Sequence, residues 1–123
     1  MGDFIEAKDP RGLKIYCTKA QWENHIVADL TGHPIMKENI PAILETLQNP
    51  DFTRESNDSN PPFDYREVYV KEVEFATYHS KSPFTKVVVS ILGGSGEIVT
   101  AYNSGNQTGG MKGDDIYVPD EDR

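Results

Sequence analysis

The stretch "FTKVVVSILGGSGEIVTAYN", residues 84–103, decides the expected architecture of the chain. Its first part, 84–92, is the most apolar run and is rich in β-branched residues, which favour strands. The glycine-rich "GGSGE" at 93–97 is typical of a hairpin turn. "IVTAYN" at 98–103 has the composition of a partner strand. These residues predict a β-hairpin whose first strand lies at the centre of a sheet.

Three earlier segments predict further strands. "YREVYVKEVEFATYH", 65–79, alternates with period two and holds many aromatic and β-branched residues. "LKIYCT", 13–18, alternates apolar and polar side chains after the turn signal "DPRG", and "PDFTRES", 50–56, is a short strand candidate. Cys17 is the only cysteine, which excludes an internal disulfide and favours a small buried side chain.

A first helix is predicted over about residues 19–30. Thr18 is the expected N-cap, and Gln21 three residues later completes a weak capping box. Trp22 and Ile26 fall on one face at a spacing of four, and His25 borders that face. The "TGHP" that follows ends the helix, because proline cannot continue it.

A second helix is predicted from residue 34 or 36 to about 48, with an apolar stripe on one side. Pro41 either kinks this helix or marks a fresh start near Asn39. Helices grouped before a run of strands predict an α+β domain. The expected fold has two N-terminal helices packed on one face of a four- to five-stranded antiparallel sheet, formed by residues 1–103. Residues 104–123 are expected to be a polar, acidic, loosely ordered tail.

Composition bounds the function. The chain has 123 residues and a formal net charge of −8, with a pI near 4.7. Proteins that bind nucleic acid without sequence preference usually present a basic face, so the acidity weighs against a polynucleotide ligand. No apolar run is long enough to span a membrane, and the N-terminus lacks the features of a signal peptide. A cytoplasmic location is therefore expected.

The candidate chemistry is an acid–base set that needs neither metal nor cofactor. The chain has no P-loop, no GxGxxG, no HExxH and no CxxC. An imidazole exchanges protons near neutral pH, a lysine offsets negative charge, and Thr and Tyr hydroxyls donate to phosphate oxygens. Such groups suit RNA cleavage by attack of the substrate's own 2′-hydroxyl. The candidate catalytic residues are His25, His33, Lys86, Thr100 and Tyr102.

Each of these residues also has a structural interpretation. His25 beside Trp22 suits a packed or capping residue, and the pair His33-Pro34 suits a helix end. Thr100 and Tyr102 have high β-propensity, Lys86 suits the solvated flank of a strand, and His79 suits a loop. The residues taken singly therefore indicate only a domain with one histidine-bearing helix.

Three segments together resemble the barnase–EndoU–colicin–RelE-like nuclease superfamily, in its phage and mobile-element branch. They are "DPRGLKIYCTKAQWENHI", "HPIMKENIPAILETLQNPD" and "KVVVSILGGSGEIVTAY", within residues 9–103. The resemblance implies a metal-independent ribonuclease, often a toxin, whose site lies across the sheet. It matches His25 to the helix-borne histidine, His33 to the "HP" step and Lys86 to the basic position opening the "VVV" strand. Thr100 matches the Ser/Thr of the last strand, with Tyr102 beside it.

Two features depart from the family pattern and keep a second interpretation open. The branch often has arginine before the "HP" step, where this chain has Gly32, and effective ribonuclease toxins are often basic. The alternative is a non-catalytic protein-binding or regulatory module on the same fold. The two interpretations imply different partners: an RNA substrate, an antitoxin or another protein.

Overall fold

The computed structural model describes residues 4–27, 39–72 and 83–119. In these residues seven strands form one sheet with the spatial order β1-β2-β6-β5-β4-β3-β7. The strands are β1 Ile5–Lys8, β2 Lys14–Cys17, β3 Phe52–Ser56, β4 Arg66–Glu72, β5 Phe84–Leu92, β6 Ser95–Ser104 and β7 Met111–Tyr117. The β2–β6 pair is parallel, and the other neighbours are antiparallel.

The expected hairpin is confirmed as the centre of this sheet. β5 and β6 pair from Phe84–Ser104 at one end to Leu92–Ser95 at the turn, where Gly93 has a φ of 66°. A side chain at Gly93 would be strained at this φ, which explains the glycine. β5 is buried along most of its length because strands pair with both of its edges and apolar side chains pack on both of its faces.

Two helical segments accompany the sheet. The first is α1, Lys19–Gln21, which continues as a π-helical turn over Trp22–Ile26. Thr18 caps it as expected, since its hydroxyl accepts from the Gln21 amide at 3.1 Å. The second is α2, Ile40–Gln48, with Pro41 in its first turn, where a proline removes no helical hydrogen bond.

The expected fold is therefore wrong in its architecture. A four- to five-stranded antiparallel sheet under two N-terminal helices is replaced by a seven-stranded mixed sheet with two short helical segments in the described residues. Two strands account for much of the difference. β1 pairs with β2 ahead of the first helix, and β7 pairs with β3 at the far edge. Both pairings join segments whose own periodicity is short or weak.

The sheet also extends into the segment that was expected to be a loosely ordered tail. β6 ends at Ser104, which pairs with the start of β5, whereas β7 begins at Met111, which pairs with the end of β3. The chain between them must cross from one end of the sheet to the other. Residues 105–110 make this crossing and are called the strap below.

The two faces of the sheet carry different cores. On one face, the helix face, Trp22, Ile26 and the α2 residues Ile43 and Leu47 pack with strand side chains in one buried apolar cluster. The opposite face, the strap face, has a smaller cluster. Its buried members are Phe52, Val68, Val70 and Val88, with Met111 and Val118 packed against them.

Candidate functional site

Three of the predicted site residues lie together on the strap face. Lys86 on β5 is directly opposite Tyr102 on β6. Both alternate with residues of the helix-face cluster, Val87 and Ala101, so their side chains project to the other side. Thr100 is opposite Val88 of the strap-face cluster, next to an irregularity in the β5–β6 register. The sheet therefore sets one ammonium group and two hydroxyl groups in adjacent positions.

Lys86 is buried, with 1% of its surface exposed. Its ammonium donates to the backbone carbonyl of Gly109 in the strap at 2.8 Å. No carboxylate in the described part of the chain forms an ion pair with it. Burial lowers the pKa of Lys86, because the desolvated ammonium is disfavoured. A buried lysine is normally paired with an acid, so this residue is an exception.

Tyr102 lies beside Lys86 and is half-buried. Burial raises the pKa of its hydroxyl, and the negative charge of Asp58 raises it further. Tyr102 therefore stays protonated at neutral pH. The hydroxyl also sits close to the strap, since a Cβ added at Gly110 would lie 3.2 Å from it.

The strap is a polar turn held by its own side chains. The Asn106 carboxamide oxygen accepts from the amides of Thr108 and Gly109, each at 3.0 Å. The Ser104 hydroxyl donates to the backbone carbonyl of Asn106 and accepts from the backbone amide of Asn106. Residues 105–108 are exposed. The strap meets the strands through Lys86 and through Gly110, whose carbonyl accepts from the Asn57 amide at 2.9 Å.

His25 is on the helix face of the sheet, opposite to the face that carries Lys86, Thr100 and Tyr102. Its helix packs on the helix face through Trp22 and Ile26, and the His25 side chain is exposed. One turn earlier, the Gln21 side-chain amide donates to the carbonyl of Val99 on β6 at 2.9 Å. This bond ties the helical segment that carries His25 to β6.

The structure thus brings Lys86, Thr100 and Tyr102 together on the strap face and leaves His25 exposed on a segment that packs on the helix face. No hydrogen bond or ion pair joins His25 to those three residues within the described part of the chain. His33 lies outside the described residues, and so does His79.

Two contributors to this region escaped the sequence analysis. Gln21 was interpreted as part of a capping box, but its side chain bridges to β6 instead. Gly109 and Gly110 fell in the expected tail, although Gly110 has a φ of 84° that favours glycine. The "GG" pair was the available signal of a tight backbone approach.

A second polar cluster lies elsewhere. The Tyr69 hydroxyl donates to Asp9 at 2.6 Å, and the Arg11 guanidinium bonds to Asp9 and to Glu67, the latter at 2.7 Å. Tyr65 donates to the other oxygen of Glu67 at 2.7 Å. Burial raises the pKa of Tyr69, and its bond to Asp9 adds to this. Each side chain of the cluster therefore forms a hydrogen bond or an ion pair with another member of the cluster.

A third feature is a pair of exposed apolar side chains near the hairpin turn. Phe63 is 87% exposed and Leu92 is 86% exposed. Tyr65, two residues after Phe63, accepts at its carbonyl from the amide of Ile91, which precedes Leu92. Both side chains therefore stand at one end of the sheet. A depression of about 200 Å³ adjoins Leu92, lined also by Tyr16, Ser90 and Glu97.

Other site types have no support in the described ranges. They include no group of three or more His, Cys, Asp or Glu side chains able to hold a metal ion, so no metal site is proposed. None of their helices is long and apolar enough to cross a membrane. Comparison with protein-family models, curated proteins and solved structures finds no match. The resemblance to the nuclease superfamily therefore stays a prediction.

Proposed function

We propose that this domain is a metal-independent ribonuclease that cleaves RNA by attack of the substrate's 2′-hydroxyl. The carrying observation is the neighbourhood of Lys86, Thr100 and Tyr102 on one sheet face. The hydrogen bond from Gln21 to Val99 ties the segment that carries His25 to the same strand, although that segment packs on the helix face. These groups supply what phosphodiester cleavage requires: a proton carrier, a cation and hydroxyl donors.

The reaction forms a bond from the 2′-oxygen to phosphorus and breaks the bond from phosphorus to the 5′-oxygen. A general base takes the 2′-hydroxyl proton, and a general acid gives a proton to the departing 5′-oxygen. In the proposal His25 is one of these proton carriers and His33 is the other. Lys86, Thr100 and Tyr102 stabilise the added negative charge on the phosphorane oxygens. No cofactor takes part.

The acidic chain limits how RNA is held. With a net charge of −8, the surface as a whole repels a polyanion. Binding must therefore depend on a few contacts at the cleaved phosphate rather than on a long basic groove. A short or structured RNA is the substrate class this favours. The proposed location is the cytoplasm, where the thiol of the buried Cys17 stays reduced.

The test is cleavage of a fluorescent RNA in EDTA by wild type, His25→Ala and Asn24→Ala. Asn24 is the matched control, because it is the exposed neighbour of His25 on the same turn. Wild type and Asn24→Ala are expected to cleave, with a bell-shaped dependence of kcat/KM on pH, and His25→Ala is expected to lose at least about 100-fold. Equal rates in all three would remove His25 from the reaction, and no cleavage by wild type of a varied RNA pool would count against the function.

A second candidate function, a protein-binding module, is favoured by the exposure of Phe63 and Leu92. The Phe63 loop is held tightly, since Asn60 and Asp64 exchange backbone hydrogen bonds at 2.7 and 2.9 Å across it. Asp64 is held in turn by Ser90 at 2.8 Å. An aromatic side chain presented on an ordered loop loses little entropy on binding and is a typical interface anchor.

Co-purification with the product of the adjacent gene tests this second function. Phe63→Asp is expected to abolish co-purification, because it places a charge at the centre of the contact. Ile116→Asp is the control, since Ile116 is also exposed, at 41%, but lies on β7. Equal capture by both variants would exclude the Phe63 loop as the interface.

A further inference from the structure

In the described structure, the Lys86 ammonium makes fewer hydrogen bonds than it has donors. An ammonium group carries three N–H donors, and among the described residues that of Lys86 donates to one neutral carbonyl, that of Gly109. Among the described residues, no carboxylate forms an ion pair with this buried ammonium. A phosphate oxygen would supply both the negative charge and the additional acceptors that this group lacks.

The strap that covers Lys86 is lightly attached. Its six residues, Gly-Asn-Gln-Thr-Gly-Gly, include no apolar side chain to anchor it in the strap-face cluster. Its Asn106 turn is internal and would survive movement of the strap as a unit. Two bonds between Ser104 and Asn106 join it to the end of β6, and lifting it about that point breaks the bonds to Lys86 and Asn57.

We propose that the strap, residues 105–110, is a gate over a phosphate-binding position at Lys86. In the closed state the Lys86 ammonium donates to the Gly109 carbonyl, and in the open state it donates to a phosphate group instead. Tyr102, protonated and adjacent, is the second donor, and Thr100 lies farther along the same strand face. This inference rests on the proposed function for the identity of the ligand, a phosphodiester of RNA. It adds that the closed strap is an autoinhibited state.

A gate has a thermodynamic signature that an ordinary structural contact lacks. Affinity for the ligand is reduced by the fraction of molecules in the open state, so weakening the closed state raises affinity. Gly110→Ala does this selectively. Its φ of 84° disfavours a side chain, and the new Cβ would approach the Tyr102 hydroxyl to 3.2 Å.

The experiment titrates inorganic phosphate into the full chain and follows backbone amide resonances by NMR. The Asn57 amide reports strap closure directly, because it donates to the Gly110 carbonyl. Wild type is expected to show phosphate-dependent shifts at Asn57 and the strap, with faster exchange of the Asn57 amide. Gly110→Ala is expected to bind phosphate roughly 5-fold or more tightly, following the energetic cost of a left-handed alanine.

Lys86→Met is expected to lose these shifts. Lys71→Met is the matched control and is expected to retain them, since Lys71 also donates to a backbone carbonyl, that of Asn49 at 2.9 Å. Equal phosphate responses in wild type and Lys86→Met would overturn the site. An unchanged or weaker affinity in Gly110→Ala would overturn the gate, and this comparison stands even if Lys86→Met fails to fold.

A 2′-deoxy dinucleotide, which has the phosphodiester but not the attacking hydroxyl, separates RNA from free phosphate as the ligand. Shifts at the same amides support the phosphodiester, whereas a response to inorganic phosphate alone overturns that assignment. RNA cleavage assays separate the two proposals. Phosphate binding at Lys86 without cleavage by any variant supports the gated site and contradicts the ribonuclease. Undiminished cleavage by Lys86→Met supports the ribonuclease and contradicts the role of this site in it.

Discussion

Two buried charged regions of this protein are built in opposite ways. In the cluster of Asp9, Arg11 and Glu67, each carboxylate accepts from the guanidinium and from a tyrosine hydroxyl. Lys86, by contrast, is just as buried but meets a neutral carbonyl. Neutralised charges stabilise a structure only while every partner is present, whereas an unneutralised charge is a standing cost that a ligand can remove.

The difference indicates different roles. The Asp9 cluster joins the β1–β2 turn to β4, so it links parts of the sheet that are not neighbouring strands. Lys86 joins the sheet to the strap, an exposed segment. Removal of one partner should therefore destabilise the first region strongly and the second region little.

The largest expected effect is at Asp9. Asp9→Ala removes the acceptor of the Tyr69 hydroxyl, one partner of Arg11 and the acceptor of the Leu13 amide. Because it leaves a half-buried guanidinium short of a partner, the free energy of unfolding should fall by roughly 3–5 kcal/mol. Urea denaturation measures this, with Glu6→Ala on the same hairpin as the control. A loss below about 1 kcal/mol would show that the cluster does not stabilise the fold.

A smaller effect is expected at Tyr69. Tyr69→Phe keeps the ring and removes a buried hydroxyl that bonds to both Asp9 and Arg11. The free energy of unfolding should fall by about 1–3 kcal/mol, the cost of leaving buried polar groups unsatisfied. Tyr65→Phe is the comparison, since Tyr65 is half-buried and makes one such bond. If the free energy of unfolding falls equally in the two variants, burial of the hydroxyl does not determine the loss of stability.

The smallest change, and the one that contrasts most with Asp9, is expected for Lys86→Met. Methionine fills a similar volume without the desolvated charge, which offsets the lost bond to Gly109. Stability at pH 7 should change by less than about 1 kcal/mol in either direction. A loss as large as that of Asp9→Ala would mean that Lys86 is a structural strap anchor, and would weaken the contrast between the two regions.

The pH dependence sharpens the same comparison. Burial lowers the pKa of Lys86 below its ordinary value of 10.5, so between these two values the unfolded chain binds more protons than the folded chain. The stability of wild type should therefore rise relative to Lys86→Met as the pH increases through this window. Urea denaturation of both proteins from pH 7 to about 9.5 measures the difference, below the range where unfolded tyrosines ionise. A difference independent of pH would contradict the lowered pKa.

Local signals in the sequence predicted local structure well. The apolar run and the glycine turn of residues 84–103 predicted the central hairpin, and Thr18 was a correct prediction of the helix N-cap. Cys17 was expected to be buried and is. In each case the determining interactions lie within a few residues of one another, or follow from the burial of an apolar run.

The candidate site was predictable only in part. Alternation along β6 predicted that Thr100 and Tyr102 share a face, which the register confirms. That Lys86 joins them depends on the β5–β6 register, and that a strap covers Lys86 depends on β7 pairing with β3, some 55 residues away in sequence at Ser56 and Met111. No periodicity in either segment encodes that pairing.

The sequence by itself determined the strand at the core, the helix cap, the acidity and the set of side chains with usable chemistry. The tertiary structure alone decided the parallel contact of β2 with β6, the two edge strands, and the burial of Lys86 under the strap. The physical reason is that propensity and periodicity act over a few residues. Which edges pair, and which charge ends up buried without a counter-ion, depends instead on the free energy of the whole sheet.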